Sequence, residues 1–148
     1  MIAQKQKSKK RSDASLKQQP DDIVLFLDRN LGKHVIAEAL RNAGHQVEIH
    51  DDHLPSDAPD EDWIKLISSH NWVGMTKDKR IRYRTAEINS IRDNRARVIV
   101  IQAVNLTGPD IAEILVKFHG RIRLFVTRET APFIAGIGRS GLINRYDI

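Results

Sequence analysis

Residues 72–84 read WVGMTKDKRIRYR. An apolar run, Trp72 to Thr76, gives way at Lys77 to a lone acid, Asp78, surrounded by Lys77, Lys79, Arg80, Arg82 and Arg84. A short apolar run bounded by charge is the signature of a strand covered on both faces. The same pattern occurs upstream, where Ile23-Val24-Leu25-Phe26-Leu27 runs into Asp28-Arg29-Asn30. Each of these two strands therefore meets its first acid just beyond its carboxyl end.

The rest of the chain alternates strand and helix signals. Leu31 to Ala43 carries Leu31, Val35, Ile36, Ala39 and Leu40 at helical spacing and stops at Gly44, as expected of a glycine after a helix end. Gln46 to His50 reads as a short strand, Asp51 to Pro59 as a loop, and Asp60 to Ser69 as a helix with Trp63, Ile64 and Ile67 inward. Arg80 to Arg92 is predicted mostly helical, which puts Arg80 and Arg84 on one face at i, i+4. RVIVIQ at 97–102 is a fourth strand, Pro109 to His119 a helix with proline in its first turn, and Arg121 to Val126 a fifth strand. Thr127 to Ile148 reads as irregular, with one short helical turn and a terminal strand. Such alternation builds βαβ units, so the expected fold is a three-layer α/β/α sandwich with a central, mostly parallel sheet. Sites in these sheets lie beyond the carboxyl ends of the strands.

Composition narrows the classes. The chain has 148 residues and no cysteine, which excludes disulfides and thiolate metal sites and suits a reducing cytoplasm. No apolar run approaches the ~20 residues of a membrane span, so no membrane partner is expected. The net charge of +5 resides in residues 1–20, where Lys5, Lys7, Lys9, Lys10, Arg11 and Lys17 face one acid, Asp13. That segment reads as a disordered basic tail that adds weak attraction to nucleic acid or acts only as a solubilising leader, with the folded domain at 21–148.

If the first and third strands are neighbours, Asp28 and Asp78 open into one crevice, and Asp60, heading the helix before the third strand, can reach it as well. Carboxylates forced together repel unless a cation joins them. A hard divalent ion binds oxygen, makes do with one or two carboxylates plus phosphate oxygens, and promotes phosphodiester hydrolysis. Lys77, Lys79, Arg80, Arg82 and Arg84 would then bind flanking phosphates, and Tyr83 would stack on a base of a single strand. The plainer reading of Asp28, Asp60 and Asp78 is that each caps the helix after it, and of the cations that they form a solvated face.

Several segments resemble the PIN-like ribonuclease superfamily, closest to its VapC-type toxin branch: LDRN at 27–30, AGHQV at 43–47, PDEDWI at 59–64, WVGMTKDKRIRYRTAE at 72–87 and FVTRETAPFI at 125–134. The resemblance implies a PIN-like domain that hydrolyses RNA with Mg²⁺ or Mn²⁺. It implies Asp28, Asp60 and Asp78 as catalytic and metal-binding acids, with Asn30 or Asn105 helping to hold metal-bound water. It also implies an antitoxin partner, and a cytoplasmic location and a homodimer are further expectations. Two departures stand out. Arg29 occupies a place that is often Glu, and the exit of the fourth strand, Gln102-Ala103-Val104-Asn105, lacks the acid of larger PIN domains. The competing function is a catalytically inactive PIN-like nucleic-acid-binding or scaffold protein. A receiver-like phosphorylated domain fits poorly, because Asp21-Asp22 precede the first strand.

Three weaker signals are set aside. Gly136 to Gly141 satisfies GxGxxG, but too few residues follow for the helix that a dinucleotide site needs. His50-Asp51-Asp52-His53 reads as a surface loop, not a zinc site. Trp63 and Trp72 read as core residues.

Overall fold

A computed structural model describes residues 22–148. The basic segment 1–20 lies outside the described residues. Among the described residues, six strands form one sheet: β1 (Val24–Leu27), β2 (Gln46–Ile49), β3 (Val73–Thr76), β4 (Arg97–Ile101), β5 (Phe133–Ile137) and β6 (Ile143–Tyr146). Their spatial order is β2-β1-β3-β4-β5-β6, and every pairing is parallel except the β5–β6 hairpin. Five α-helices of the described residues cover the sheet: α1 (Val35–Asn42), α2 (Asp60–His70), α3 (Thr85–Asn94), α4 (Gly108–Lys117) and α5 (His119–Arg128).

Successive strand residues point to opposite faces, so β1 serves two cores. Leu25 and Leu27 join Ile36, Leu40, Ile111, Leu115 and Ile122 beneath α1, α4 and α5. Phe26 joins Trp63, Ile64, Ile67 and Ile91 beneath α2 and α3. This is the expected three-layer sandwich, and it explains why the strands read as unbroken apolar runs.

Gly74 in β3 makes close packing possible. A Cβ there would lie 2.8 Å from Trp63 Cζ3 and 2.9 Å from Ile67 Cδ1. Gly74→Ala should therefore cost ~1–3 kcal/mol by overpacking, seen as a lower midpoint of thermal unfolding. An unchanged midpoint would show that α2 can retreat from the sheet.

The C-terminal third departs from expectation. Arg121 to Val126 is helical, within α5. Ile122, Leu124 and Val126 alternate as in a strand, but Leu124 is exposed while Ile122 and Val126 are buried at i, i+4. The true fifth strand is FIAGI at 133–137. Its Ala and Gly have low strand propensity, and Gly136 leaves room for the side chains of Tyr146 and Gln102, which a Cβ would displace. Gly138 and Gly141 lie in the hairpin after β5, with β6 following directly.

Two helix boundaries also shift. Leu31 ends a short 3₁₀ turn, Arg29–Leu31, and α1 begins only at Val35. Arg80 lies in a second 3₁₀ turn, Lys79–Tyr83, and Arg84 is the extended residue between that turn and α3. Arg80 and Arg84 therefore do not share a helical face.

Candidate active site at the strand ends

The chain leaves β1 toward β2 on one side and returns to β3 on the other. The β1–β3 junction is thus the point where strand order reverses, and a crevice is expected outside its carboxyl ends. Leu27 pairs with Met75, and the Asp28 amide donates to the Met75 carbonyl at 2.9 Å. Thr76 accordingly lies beside Asp28, and Asp78 follows two residues beyond it.

Asp28 is buried, with only 8% of its surface exposed. Both its carboxylate oxygens accept hydrogen bonds from neutral donors, the Arg29 amide at 2.6 Å and the Thr76 hydroxyl at 2.8 Å. Burial pushes its proton affinity above the ordinary aspartate value. The two hydrogen bonds oppose that rise, and the nearby charge of Asp60 adds to it.

Thr76 is the hub. Its hydroxyl donates to Asp28 and accepts from Asn30 Nδ2 and the Asp78 amide, each at 3.1 Å. One donor and two acceptor sites exhaust a hydroxyl. Asn30 completes the brace by accepting from the Lys77 amide at 3.2 Å.

Asp78 caps the Lys79–Tyr83 turn by accepting from the Arg80 amide at 3.0 Å. Arg84 grips the same carboxylate with both terminal nitrogens, at 2.6 Å and 3.2 Å. Its Nη1 also lies 3.7 Å from Asp60 Oδ2. Asp60 is the first residue of α2, and Pro59 holds the cap position. Its Oδ1 accepts the indole N–H of Trp63 at 3.0 Å. Trp63 is 1% exposed, so the carboxylate is moored to the core. Asp28 and Asp78 thus cap the turns that follow them, whereas Asp60 is held by an indole.

The cations divide into groups. Lys77, Lys79 and Arg80 are exposed. Arg84 is committed to the acids. Arg82 lies with its guanidinium carbon 3.6 Å from the Tyr146 ring centroid and 4.8 Å from that of Tyr83. At the β4 exit, Gln102 donates to the Tyr146 hydroxyl. Asn105 sits beyond it in the left-handed region, at φ 59°.

Thr76 and His50 escaped the sequence reading. Thr76 ends an apolar strand, and a polar residue in a fully buried run is the signal. His50, expected on a surface loop, is 3% exposed. Pairing of Leu27 with Ile49 puts it beside Asp28, which only strand register could reveal. Among the described residues, no three acidic or histidine side chains are arranged to hold a metal ion together.

Comparison with known proteins accords with this geometry. The PIN-like domain family matches residues 23–103, from the start of β1 past the end of β4, and the chain belongs to that family. It is similar to a protein of Mycobacterium tuberculosis (strain ATCC 25618 / H37Rv) named "Putative ribonuclease VapC45". The two are 27% identical over 104 residues, which cover 64% of this chain and 75% of the other. No solved structure matches significantly. No helix among the described residues is long and apolar enough to cross a membrane.

Proposed function

We propose that the chain is a divalent-metal-dependent endoribonuclease that hydrolyses RNA phosphodiester bonds, the toxin of a toxin–antitoxin pair. The observation that carries the reading is the buried Asp28 carboxylate, bonded by neutral donors and crowded by Asp60. A buried carboxylate that burial and a like charge both disfavour as an anion is suited to a cation. Membership of the PIN-like family and likeness to the mycobacterial protein support the chemistry.

The donor set fits a hard ion of the Mg²⁺ or Mn²⁺ kind. Every donor is oxygen, and such an ion needs only one or two carboxylates, with water and phosphate oxygens completing its shell. Asp28 and Asp60 would hold it, with Asp78 joining when Arg84 releases it. Bound there, the ion supplies a more acidic water and neutralises charge on the phosphoryl group. The protein's own part is positioning. Thr76 fixes Asp28 and the Asp78 backbone, Trp63 fixes Asp60, and Asn30 braces Lys77. Exposed Lys77, Lys79 and Arg80 bind phosphates on either side of the scissile bond. The tail at 1–20 and the domain at 21–148 would act together in the cytoplasm, with an antitoxin, or a second copy in a homodimer, as protein partners.

The test is cleavage of single-stranded RNA by the parent with Mg²⁺ or Mn²⁺, beside Asp28→Asn and Asp78→Asn. Cleavage by the parent alone, abolished by chelator, is expected. Equal cleavage by all three would sink the reading.

A second reading, a PIN-like binding or scaffold protein without chemistry, draws on Arg84. Its guanidinium already answers the charge of Asp78 and approaches Asp60, and the fourth-strand exit, Gln102 to Asn105, holds no acid. Arg84→Gln separates the two. Removing the internal cation leaves three carboxylates to be neutralised, so under the nuclease reading Mn²⁺ should raise its unfolding midpoint more than the parent's. Identical midpoints with and without Mn²⁺, in parent and variant alike, would favour the binding protein.

A further inference from the structure

We propose that the free edge of strand β6, with the groove between it and α5, docks an extended acidic peptide of a partner protein as a further strand of the sheet. The surface shares no residue with the acidic cluster, so it does not depend on the nuclease reading. β6 ends the sheet on one side and β2 on the other. On β2, the Val47 carbonyl is taken by the Arg41 guanidinium at 2.8 Å. On β6, pairing with β5 fixes which backbone groups are free. The Gly138 amide donates to the Leu142 carbonyl at 3.1 Å, and opposed residues of an antiparallel pair alternate between bonded and unbonded. Asn144 and Tyr146, opposite Gly136 and Ile134, therefore bond to β5. Ile143 and Arg145 direct their amides and carbonyls outward, where no strand of the sheet follows.

A free edge alone is ordinary. This one has a groove beside it. Ile143 and Arg145 point to the sheet face that α5 covers. Ile143 packs against the core there, and Arg145 donates to Glu129, just beyond α5, at 2.9 Å. Between helix and strand lies a groove of about 320 Å³, whose walls include Arg121, Leu124, Phe125, Arg128 and Leu142. Leu124 is 49% exposed and Leu142 60%, so two large apolar side chains meet solvent in one place. Residues 121, 124, 125 and 128 follow the i, i+3, i+4, i+7 spacing and form one stripe along α5. An arginine stands at each end of that stripe.

Charge decides the occupant. The groove's own acid, Glu129, is matched by Arg145. Arg121 lies over the Phe118 ring, 5.1 Å from its centroid, and neither it nor Arg128 has a carboxylate partner among the described residues. A strand laid along β6 sends alternate side chains onto the α5 face. An apolar residue there would cover Leu124 and Leu142, and acids two places before and after it would meet the arginines. The stripe from Arg121 to Arg128 is about 10 Å long, and alternate strand residues are about 7 Å apart, a difference that long arginine side chains span. Main-chain bonds to Ile143 and Arg145 supply affinity, and the groove supplies selectivity. Nucleic acid would use the arginines but neither the strand edge nor the leucines. A second copy pairing edge to edge brings no acid, because β6 reads INRY.

The test is binding of the full chain, by fluorescence anisotropy, to a capped seven-residue peptide in which threonine alternates with glutamate, leucine and glutamate. The same peptide with lysine in place of glutamate should not bind. Arg121→Glu combined with Arg128→Glu should weaken binding about 2- to 30-fold, the range for two exposed ion pairs, and Leu124→Asp should weaken it as well. Both arginines and Leu124 are exposed, so an unchanged unfolding midpoint is expected in each variant. N-methylation of alternate peptide amides probes the edge without altering the protein. In one phase it should weaken binding about 5- to 150-fold, the loss of two backbone hydrogen bonds, and in the other phase it should have no effect. No binding of the acidic peptide, equal binding of the lysine peptide, or the same affinity in both N-methylated phases would overturn the proposal. Displacement of the peptide by single-stranded RNA would assign the groove to nucleic acid instead, and a dimer that Ile143→Pro dissociates would assign the edge to a second copy.

Discussion

Asp28→Asn should cut RNA cleavage by at least about 100-fold, since even outer-sphere partners of a metal site cost 10–100-fold when lost. The substitution keeps shape and removes charge. Its amide oxygen can still accept the Arg29 amide, as Oδ1 does now at 2.6 Å. A second readout comes from stability. Burial, helped by Asp60, holds the Asp28 proton affinity above its unfolded value of 3.8. The ionised form is therefore disfavoured by the fold. That penalty is present in full above the folded pKa, eases as pH falls through it, and vanishes below the unfolded value. The Asn variant never bears the penalty. In chelator, the parent should thus gain stability relative to Asp28→Asn as pH falls from neutral toward about 4. The Thr76 hydroxyl loses its acceptor in the variant, a cost of roughly 1 kcal/mol, but that loss is independent of pH. The slope of the difference between the two unfolding curves, rather than either midpoint, is the measurement. A flat difference would mean that Asp28 is not a desolvated carboxylate.

Trp63→Ala should cost ~3–5 kcal/mol, the usual loss for a buried aromatic residue. Against the 5–15 kcal/mol that holds a typical domain, this threatens the fold itself. The indole stacks on Phe26 with centroids 6.0 Å apart and covers Gly74, where no Cβ fits. Trp63→Phe separates packing from positioning. A phenyl ring keeps most of the contact, but it cannot donate to Asp60 Oδ1 as the indole does at 3.0 Å. The Phe variant should remain folded by thermal denaturation, while RNA cleavage per folded molecule drops. Wild-type cleavage by Trp63→Phe would show that the indole serves only the core and that Asp60 needs no mooring.

Much of the architecture was legible because buried parallel strands have a plain chemical signature. Val24 to Leu27, Val73 to Met75 and Val98 to Ile101 are apolar because helices cover both faces. Asp28 and Asp78 were legible because a charged residue at the end of such a run must leave the core. The C-terminal third was not legible. FIAGI hides an interior strand behind small residues, of which Gly136 makes room for the side chains of Tyr146 and Gln102. Within α5, Ile122, Leu124 and Val126 alternate by accident, and burial against α4 and the sheet, unknown from sequence, decides for the helix.

Local patterns along the chain were enough for the layered α/β class, the strand exits and the oxygen-rich, cation-flanked character of the candidate site. These follow from local periodicity and from the cost of burying charge, which act residue by residue. Tertiary structure alone decided the partners. Arg84 turns onto Asp78 instead of outward, Arg82 lies between two tyrosines, and Thr76 ties Asp28 to Asn30 and the Asp78 backbone. His50 comes to Asp28 through strand register. Each of these contacts, other than the local Arg84–Asp78, Arg82–Tyr83 and Thr76–Asp78 pairs, joins residues far apart along the chain. Such proximity is set by strand order and register, which no short-range pattern encodes.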